Sequence, residues 1–342
     1  MQSLCIIAEC AQGYASPTID ESISLALMLT RCAKSAGADA IKFQLVIASE
    51  LATPDYVHFQ LFKSLELGLD GWKKVSALAN ELNIDLMFDI FGSASLEIAE
   101  MLGSAAVKIH PTDFTNSQLI SEVSSSSIPT LIAGCGGASP SEIKSTAEKL
   151  NSIKSLVFMH GFQGYPTPRR DNCLGRLRFL KDFIDQQPGQ MILGFADHAD
   201  PTSADATHLA ATSIGFGVQV IEKHLTIARC LQLEDYESAL SPDEFLAFSR
   251  TLRACSEARF DDLISPISFE LPDSEQAYRR AVSRHVVAKT DLESGHIIDA
   301  ADLSLKRTSS TDYIVDPLLV IGKQISQPMT ADTPFTHTLM SE

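Results

Sequence analysis

The chain has 342 residues, enough for one large domain plus a small one or for two of medium size. Its 45% hydrophobic and 20% charged residues are the composition of an ordinary globular protein with room for a large core. A formal net charge of −16 argues against nucleic acid or an anionic membrane as the main partner. An anionic substrate would need local lysines and arginines against that field.

The seven cysteines form no CxxC pair and read as reduced, buried thiols of a cytoplasmic protein. Cys135, in Gly134-Cys135-Gly136-Gly137, is the one candidate for a reactive thiol. The first residues carry no basic segment, and their apolar run is too short for a signal peptide. No stretch of about twenty apolar residues occurs, so no membrane span is expected.

Eight short apolar runs read as strands, at 4–9, 38–44, 84–89, 105–109, 129–133, 155–160, 191–194 and 218–222. They are continuously apolar rather than alternating, as parallel strands buried on both faces are. Amphipathic stretches at 20–36, 72–82, 93–102, 140–150, 173–186, 202–214 and 242–253 read as helices. Ser139-Pro140-Ser141-Glu142 and Ser241-Pro242-Asp243-Glu244 carry a capping serine, a first-turn proline and acids at the positive end. This alternation predicts an α/β fold, a (β/α)8 TIM barrel over residues 1–256, with a doubly wound open sheet as the alternative. Residues 257–278 read as a turn-rich linker, and 279–342 as a small, mainly β second domain.

Two histidines close apolar runs late in the chain: His198 after Gly194-Phe195-Ala196-Asp197, and His224 after Val220-Ile221-Glu222-Lys223. Glu9, Lys42 and Lys108 end earlier runs in the same way. In a parallel barrel such positions converge on one face, the face where chemistry happens. The combination points to a metal-assisted site for an anionic substrate. A lysine at such a position needs an anion or a carboxylate partner, and Lys42 with Glu9 is the alternative to anion binding.

Several blocks add up to a family resemblance. They are Ile7-Ala8-Glu9, the run Ala36-Gly37-Ala38-Asp39-Ala40-Ile41-Lys42-Phe43-Gln44, Lys108-Ile109 with Asp113-Phe114-Thr115-Asn116, and His160 with Tyr165-Pro166-Thr167-Pro168. Gly194, Asp197 and His198, then Glu222-Lys223-His224-Leu225-Thr226 and Ser241-Pro242-Asp243-Glu244-Phe245, continue the series in order. Together they resemble the sialic acid synthase (N-acetylneuraminate synthase) family. The tail, with Val287-Ala288-Lys289-Thr290-Asp291-Leu292-Glu293-Ser294-Gly295 and Asp302-Leu303-Ser304-Leu305-Lys306-Arg307, is similar to the antifreeze-like SAF domain those synthases carry.

The resemblance implies a metal-dependent condensation of phosphoenolpyruvate (PEP) with the aldehyde of an N-acetylated hexosamine, giving a nine-carbon, sialic-acid-like 2-keto acid. His198 and His224 would bind the metal, most often Mn2+ in this family, with Mg2+ or Co2+ as alternatives. Lys42 and Lys108 would hold the PEP carboxylate and phosphate, with Gln44 as a polar companion. Glu9 would position or deprotonate water, Asp113 and Asp235 would bond sugar hydroxyls, and Tyr165 would line the site. Arg307 matches a tail arginine that reaches across a domain-swapped homodimer.

The chain departs from the family where phosphate is held. Asp89 stands for a threonine, Pro111, Ala133 and Ala196 stand for serines, and Gln163 stands for asparagine. Ala11-Gln12-Gly13-Tyr14 replaces the asparagine-histidine segment after the first strand. Loss of three hydroxyl donors to a charged ligand amounts to roughly 4–9 kcal/mol unless replaced. An ionised Asp89 beside phosphate adds repulsion on the order of a few kcal/mol. Backbone amides of residues 134–137 are one replacement. Three readings follow: a divergent synthase with a rebuilt phosphate site, a metal-dependent aldolase or lyase on a keto acid without phosphate, and a non-catalytic sugar-binding relative.

Overall fold

A computed structural model describes residues 4–150, 155–162, 164–187, 189, 191–259 and 271–339. The chain divides into two compact units, Met1–Asp262 and Leu263–Glu342.

The first unit contains eight parallel strands: β1 (Cys5–Ala11), β2 (Ala40–Gln44), β3 (Asp85–Asp89), β4 (Ala106–Ile109), β5 (Leu131–Gly134), β6 (Leu156–His160), β7 (Met191–Asp197) and β8 (Val220–His224). They pair in sequence order, and β8 returns to β1 with Cys5 opposite Val220 and Glu9 opposite His224. This closure decides for the TIM barrel and against the open sheet. Helices cover the outside, and the two starts singled out in the sequence carry the contacts expected there. Ser139 and Glu142 form a capping box at the helix Pro140–Lys149. Glu244 accepts from the Ser241 amide at 2.8 Å, where the helix Pro242–Arg259 begins. Such caps contribute about 1 kcal/mol each.

Strand parity sorts the core. Ile7, Ala40, Met87, Ala106, Ile132, Val157, Ile192 and Val220, one from each strand, meet in a lumenal cluster. Their neighbours, such as Ala8, Ile41, Phe88, Val107 and Phe195, pack outward against the helices. Residues two further along share the inward face. That next layer reads Glu9, Lys42, Asp89, Lys108, Gly134, Met159, Gly194 and Glu222. Charge therefore occupies the contiguous sector β8–β1–β2–β3–β4, while β5 to β7 are small or apolar.

The elements depart from the sequence reading in several places, among them a helix at Ser117–Ser125 that the reading did not name. β7 and β8 run to Asp197 and His224, three and two residues beyond the expected ends. The added residues include Asp197 and Lys223, which end the apolar runs by hydropathy yet stay in the ladder as a buried pair, Nζ 3.5 Å from Oδ1. The stretch after β2 carries short helices at Ala48–Leu51 and Phe59–Ser64. The next helix begins at Gly68 rather than residue 72. A helix at Asp273–Val282 stands where the sequence reads as the end of a linker and the start of the second domain.

The second unit pairs β9 (His285–Ala288) antiparallel to β10 (Leu303–Lys306). Val286, Ile298, Ile314, Val320, Met329 and Phe335 are among the residues of its own small core.

Candidate active site

The charged sector is a closed ion cluster. Lys42 Nζ contacts a Glu9 carboxylate oxygen, lies 2.6 Å from Asp89 Oδ1 and 3.5 Å from Glu222 Oε2. Lys108 Nζ lies 2.6 Å from Glu222 Oε1. All five side chains are buried. Burial works to raise the Asp89 pKa, but Lys42 and Lys108 hold the carboxyl well below the ordinary range. Burial likewise works to lower Lys108, and Glu222 followed by Asp89 holds it above the ordinary lysine value. Three carboxylates thus face two ammonium groups. The Lys42–Glu9 pair, the alternative to anion binding at Lys42, is present, and both lysines already have carboxylate partners.

Asp89 also reaches outward. His110 Nε2 lies 3.3 Å from Asp89 Oδ2, and the His110 ring stacks on Phe91 at 5.8 Å between centroids. Glu222 and His110 were not among the residues singled out from the sequence. Parity was the available signal: Glu222 is two residues from His224, and His110 two from Lys108.

The histidine pair lies at the ends of β7 and β8. The rings of His198 and His224 are 5.3 Å apart, and Tyr165 meets both edge-on at 4.7 and 5.3 Å. His198 Nδ1 bonds the Phe162 carbonyl at 2.6 Å. A carbonyl accepts only, so Nδ1 carries the proton and Nε2 the lone pair. Burial pushes the His198 pKa down to about 3 and His224 well below its ordinary value. Both imidazoles are therefore neutral, the form a divalent ion requires. Among the described residues no cluster of three or more histidine, cysteine, aspartate or glutamate side chains could hold a metal. The donor set that fits an ion is two imidazoles, with its other positions left to water or substrate.

The remaining expected residues scatter more widely. Asp235 sits in the loop after β8 with φ 63° and accepts from the Gln12 amide. Burial first, then Glu234 and Glu237, raise its pKa to about 6. Asp113 closes the helical turn Pro111–Asp113, and burial raises its pKa while His110 opposes the rise. Gln44 Oε1 accepts from Gln12 Nε2 at 2.7 Å. Arg307 is exposed directly after β10 in the second unit. Gln163 lies outside the described residues.

Three expectations about the phosphate side are corrected. Ala133 packs outward in the helix-facing core, so its lost hydroxyl is not a lumenal one. Gly134 is the β5 residue that faces inward, where an added Cβ would come within 3.5 Å of Lys108 Cε. The Cys135 amide is occupied by the Met159 carbonyl at 2.8 Å, which removes it from any amide cradle over 134–137. Cys135 itself is buried and its thiol pushed up to about 12 by burial, the opposite of an activated nucleophile.

Residues 29–262 match the sequence model of the NeuB family, well over half the chain. The chain belongs to the NeuB family. Residues 283–338 match the SAF domain, so the tail resemblance holds as well. A similar relative is N,N'-diacetyllegionaminic acid synthase of Legionella pneumophila, 27% identical over 352 residues, covering 96% of this chain and 92% of the relative. Among solved structures, a putative spore coat polysaccharide biosynthesis protein E of Chromobacterium violaceum superposes with TM-score 0.77 at 20% identity, covering 99% of this chain and 100% of that one. The N-acetylneuraminic acid synthetase of Leptospira borgpetersenii gives 0.70 at 24% identity over 82% of this chain and 92% of that one. These two likenesses establish the shared NeuB-type fold. No helix among the described residues is long and apolar enough to cross a membrane.

Proposed function

We propose that this chain is a transferase-type synthase that condenses PEP with the aldehyde of an N-acetylated hexosamine-type sugar to give a nine-carbon 2-keto acid. The observation that carries the reading is the lumenal arrangement: a neutral His198–His224 pair roofed by Tyr165, with Lys42 and Lys108 among carboxylates on the adjoining strands. Membership in the NeuB family and similarity to proteins named as N,N'-diacetyllegionaminic acid and pseudaminic acid synthases support it.

His198 and His224 would hold a divalent ion, Mn2+ first among the choices, whose chemistry when bound is Lewis-acid polarisation of an aldehyde oxygen. Lys108 would meet the donor's anionic end by exchanging its contact with Glu222. Glu222, released, and Glu9 are the carboxylates available to take a proton from water attacking C2. Tyr165 and Asp235 would present polar atoms to the acceptor sugar. A homodimer and a cytoplasmic setting belong to the same reading, and sedimentation tests the first.

One observation favours a second reading. Asp89 neutralises Lys42 and stands where a dianionic phosphate would be repelled. A metal-dependent aldolase on a keto acid such as pyruvate needs no phosphate pocket. Incubating the manganese-loaded protein with N-acetylmannosamine and either PEP or pyruvate separates the two. Release of inorganic phosphate with sugar-acid formation supports the synthase. Turnover with pyruvate alone replaces it by the aldolase.

A further inference from the structure

We infer that Asp197 and Lys223, paired on the outer side of β7 and β8, are positioning residues that fix the spacing of His198 and His224, on the reading above that those two imidazoles hold a divalent ion.

Asp197 lies opposite Lys223 where β7 pairs with β8. Each comes immediately before a site histidine, His198 or His224. Successive strand residues face opposite sides of a sheet. The imidazoles therefore turn to the lumen. Asp197 and Lys223 turn outward with Phe195 and Ile221, which pack in the helix-facing core. Both side chains are sealed from solvent, and the residue opposite Lys223 on β1 is Ala8. A charged pair placed there cannot meet substrate.

Its bonds converge on the main chain around His198. Lys223 Nζ lies 3.5 Å from Asp197 Oδ1 and donates to the Ala199 carbonyl at 2.8 Å. The same Asp197 oxygen accepts from the Ala199 amide at 2.8 Å. The side chain before His224 thus grips the residues on both sides of His198. The His198 carbonyl accepts from the Thr167 amide at 2.8 Å and from Ser238 Oγ at 3.1 Å. With Nδ1 tied to the Phe162 carbonyl, the ring keeps little freedom to move away from its partner on β8.

Stability alone does not account for such a pair. Desolvation offsets the attraction between buried charges, and apolar residues of similar volume often serve as well or better. Asp197 Oδ2 is buried with no hydrogen-bond partner among the described residues, which adds to the cost. Apolar side chains cannot supply directed bonds to fixed backbone atoms. Those bonds set how far the end of β7 stands from the end of β8, and with it the 5.3 Å between the imidazole centroids. A site with only two protein donors depends on that spacing more than one with four.

The test compares full-length wild type with an Asp197→Leu/Lys223→Met double variant and with Asp197→Asn. Manganese affinity is followed by paramagnetic resonance of the free ion, under conditions where each protein is fully folded. Stability is read from urea unfolding of the metal-free protein. The double variant should keep a urea midpoint near that of wild type while its manganese affinity falls at least about tenfold, as on loss of an outer-shell partner. A merely structural pair would not separate the two readouts. Asp197→Asn keeps an acceptor for the Ala199 amide and loses the charge facing Lys223. Its affinity should fall by about threefold or more. It decides the matter if the double variant does not fold. Wild-type manganese affinity in the deciding variant overturns this inference and leaves the metal reading standing. Absence of manganese binding to wild type overturns the metal reading and this inference with it.

Discussion

Lys42 and Asp89 project from neighbouring strands into the barrel lumen, 2.6 Å apart and sealed from solvent, and Glu9 closes on the same ammonium group. The pair is the physical form of the departure from family pattern at position 89. An acid there is not a bare repulsive charge, because it sits on a lysine, and it also removes that lysine from the pool of free anion binders.

Asp89→Thr should therefore strengthen PEP binding by about tenfold, read calorimetrically, because a carboxylate leaves and a hydroxyl donor arrives. Glu9 still partners Lys42, so the stability loss in urea should stay near 1–3 kcal/mol rather than the full cost of a broken buried pair. The folded Asp89 pKa is depressed, so its stabilisation is present above the ordinary carboxylate pKa and is lost as pH falls towards the folded value. The variant should lose part of its acid-unfolding slope. An unchanged PEP affinity would mean that donor phosphate binds elsewhere.

His198→Ala should remove one of two imidazoles and leave the fold intact. Manganese affinity, followed by paramagnetic resonance of the free ion, should fall by more than about a hundredfold, since loss of an outer-shell partner alone costs 10–100-fold. The thermal midpoint should move by only a few degrees. Full manganese affinity in this variant would sink the assignment.

Asp235 carries a pKa raised to about 6, first by burial. A raised carboxylate pKa means that the folded state binds the proton more tightly than the unfolded one. Its contribution to stability is then full below the ordinary value and is lost as pH rises through about 6. Asp235→Asn should flatten the stability profile between pH 4 and 7 and add on the order of 1 kcal/mol at pH 8. Parallel profiles for the two proteins in urea would refute the shift.

Alkylation should discriminate among the thiols. Cys173 and Cys230 are exposed, whereas Cys135 is buried with its pKa pushed up to about 12. Iodoacetamide at pH 8 should modify the first two within minutes and leave Cys135 unlabelled in the folded protein, as peptide mass mapping would record. Rapid labelling of Cys135 would return it to candidacy as a nucleophile.

The barrel, its apolar strands, the serine-proline helix starts and the paired histidines are legible along the chain, because each is a local pattern of periodicity or capping. The SAF-like tail is legible for the same reason. Partnership is not. Lys108 meets Glu222 across 114 residues of sequence, and Lys42 meets Glu222 only because β8 closes onto β1 beside β2. Ala133 belongs to the outer core and Gly134 to the lumen, a distinction of one residue that strand pairing settles and composition cannot. Hydropathy records which residues leave water. Which charges then neutralise one another depends on the stagger and closure of the sheet, and that is a property of all eight strands at once.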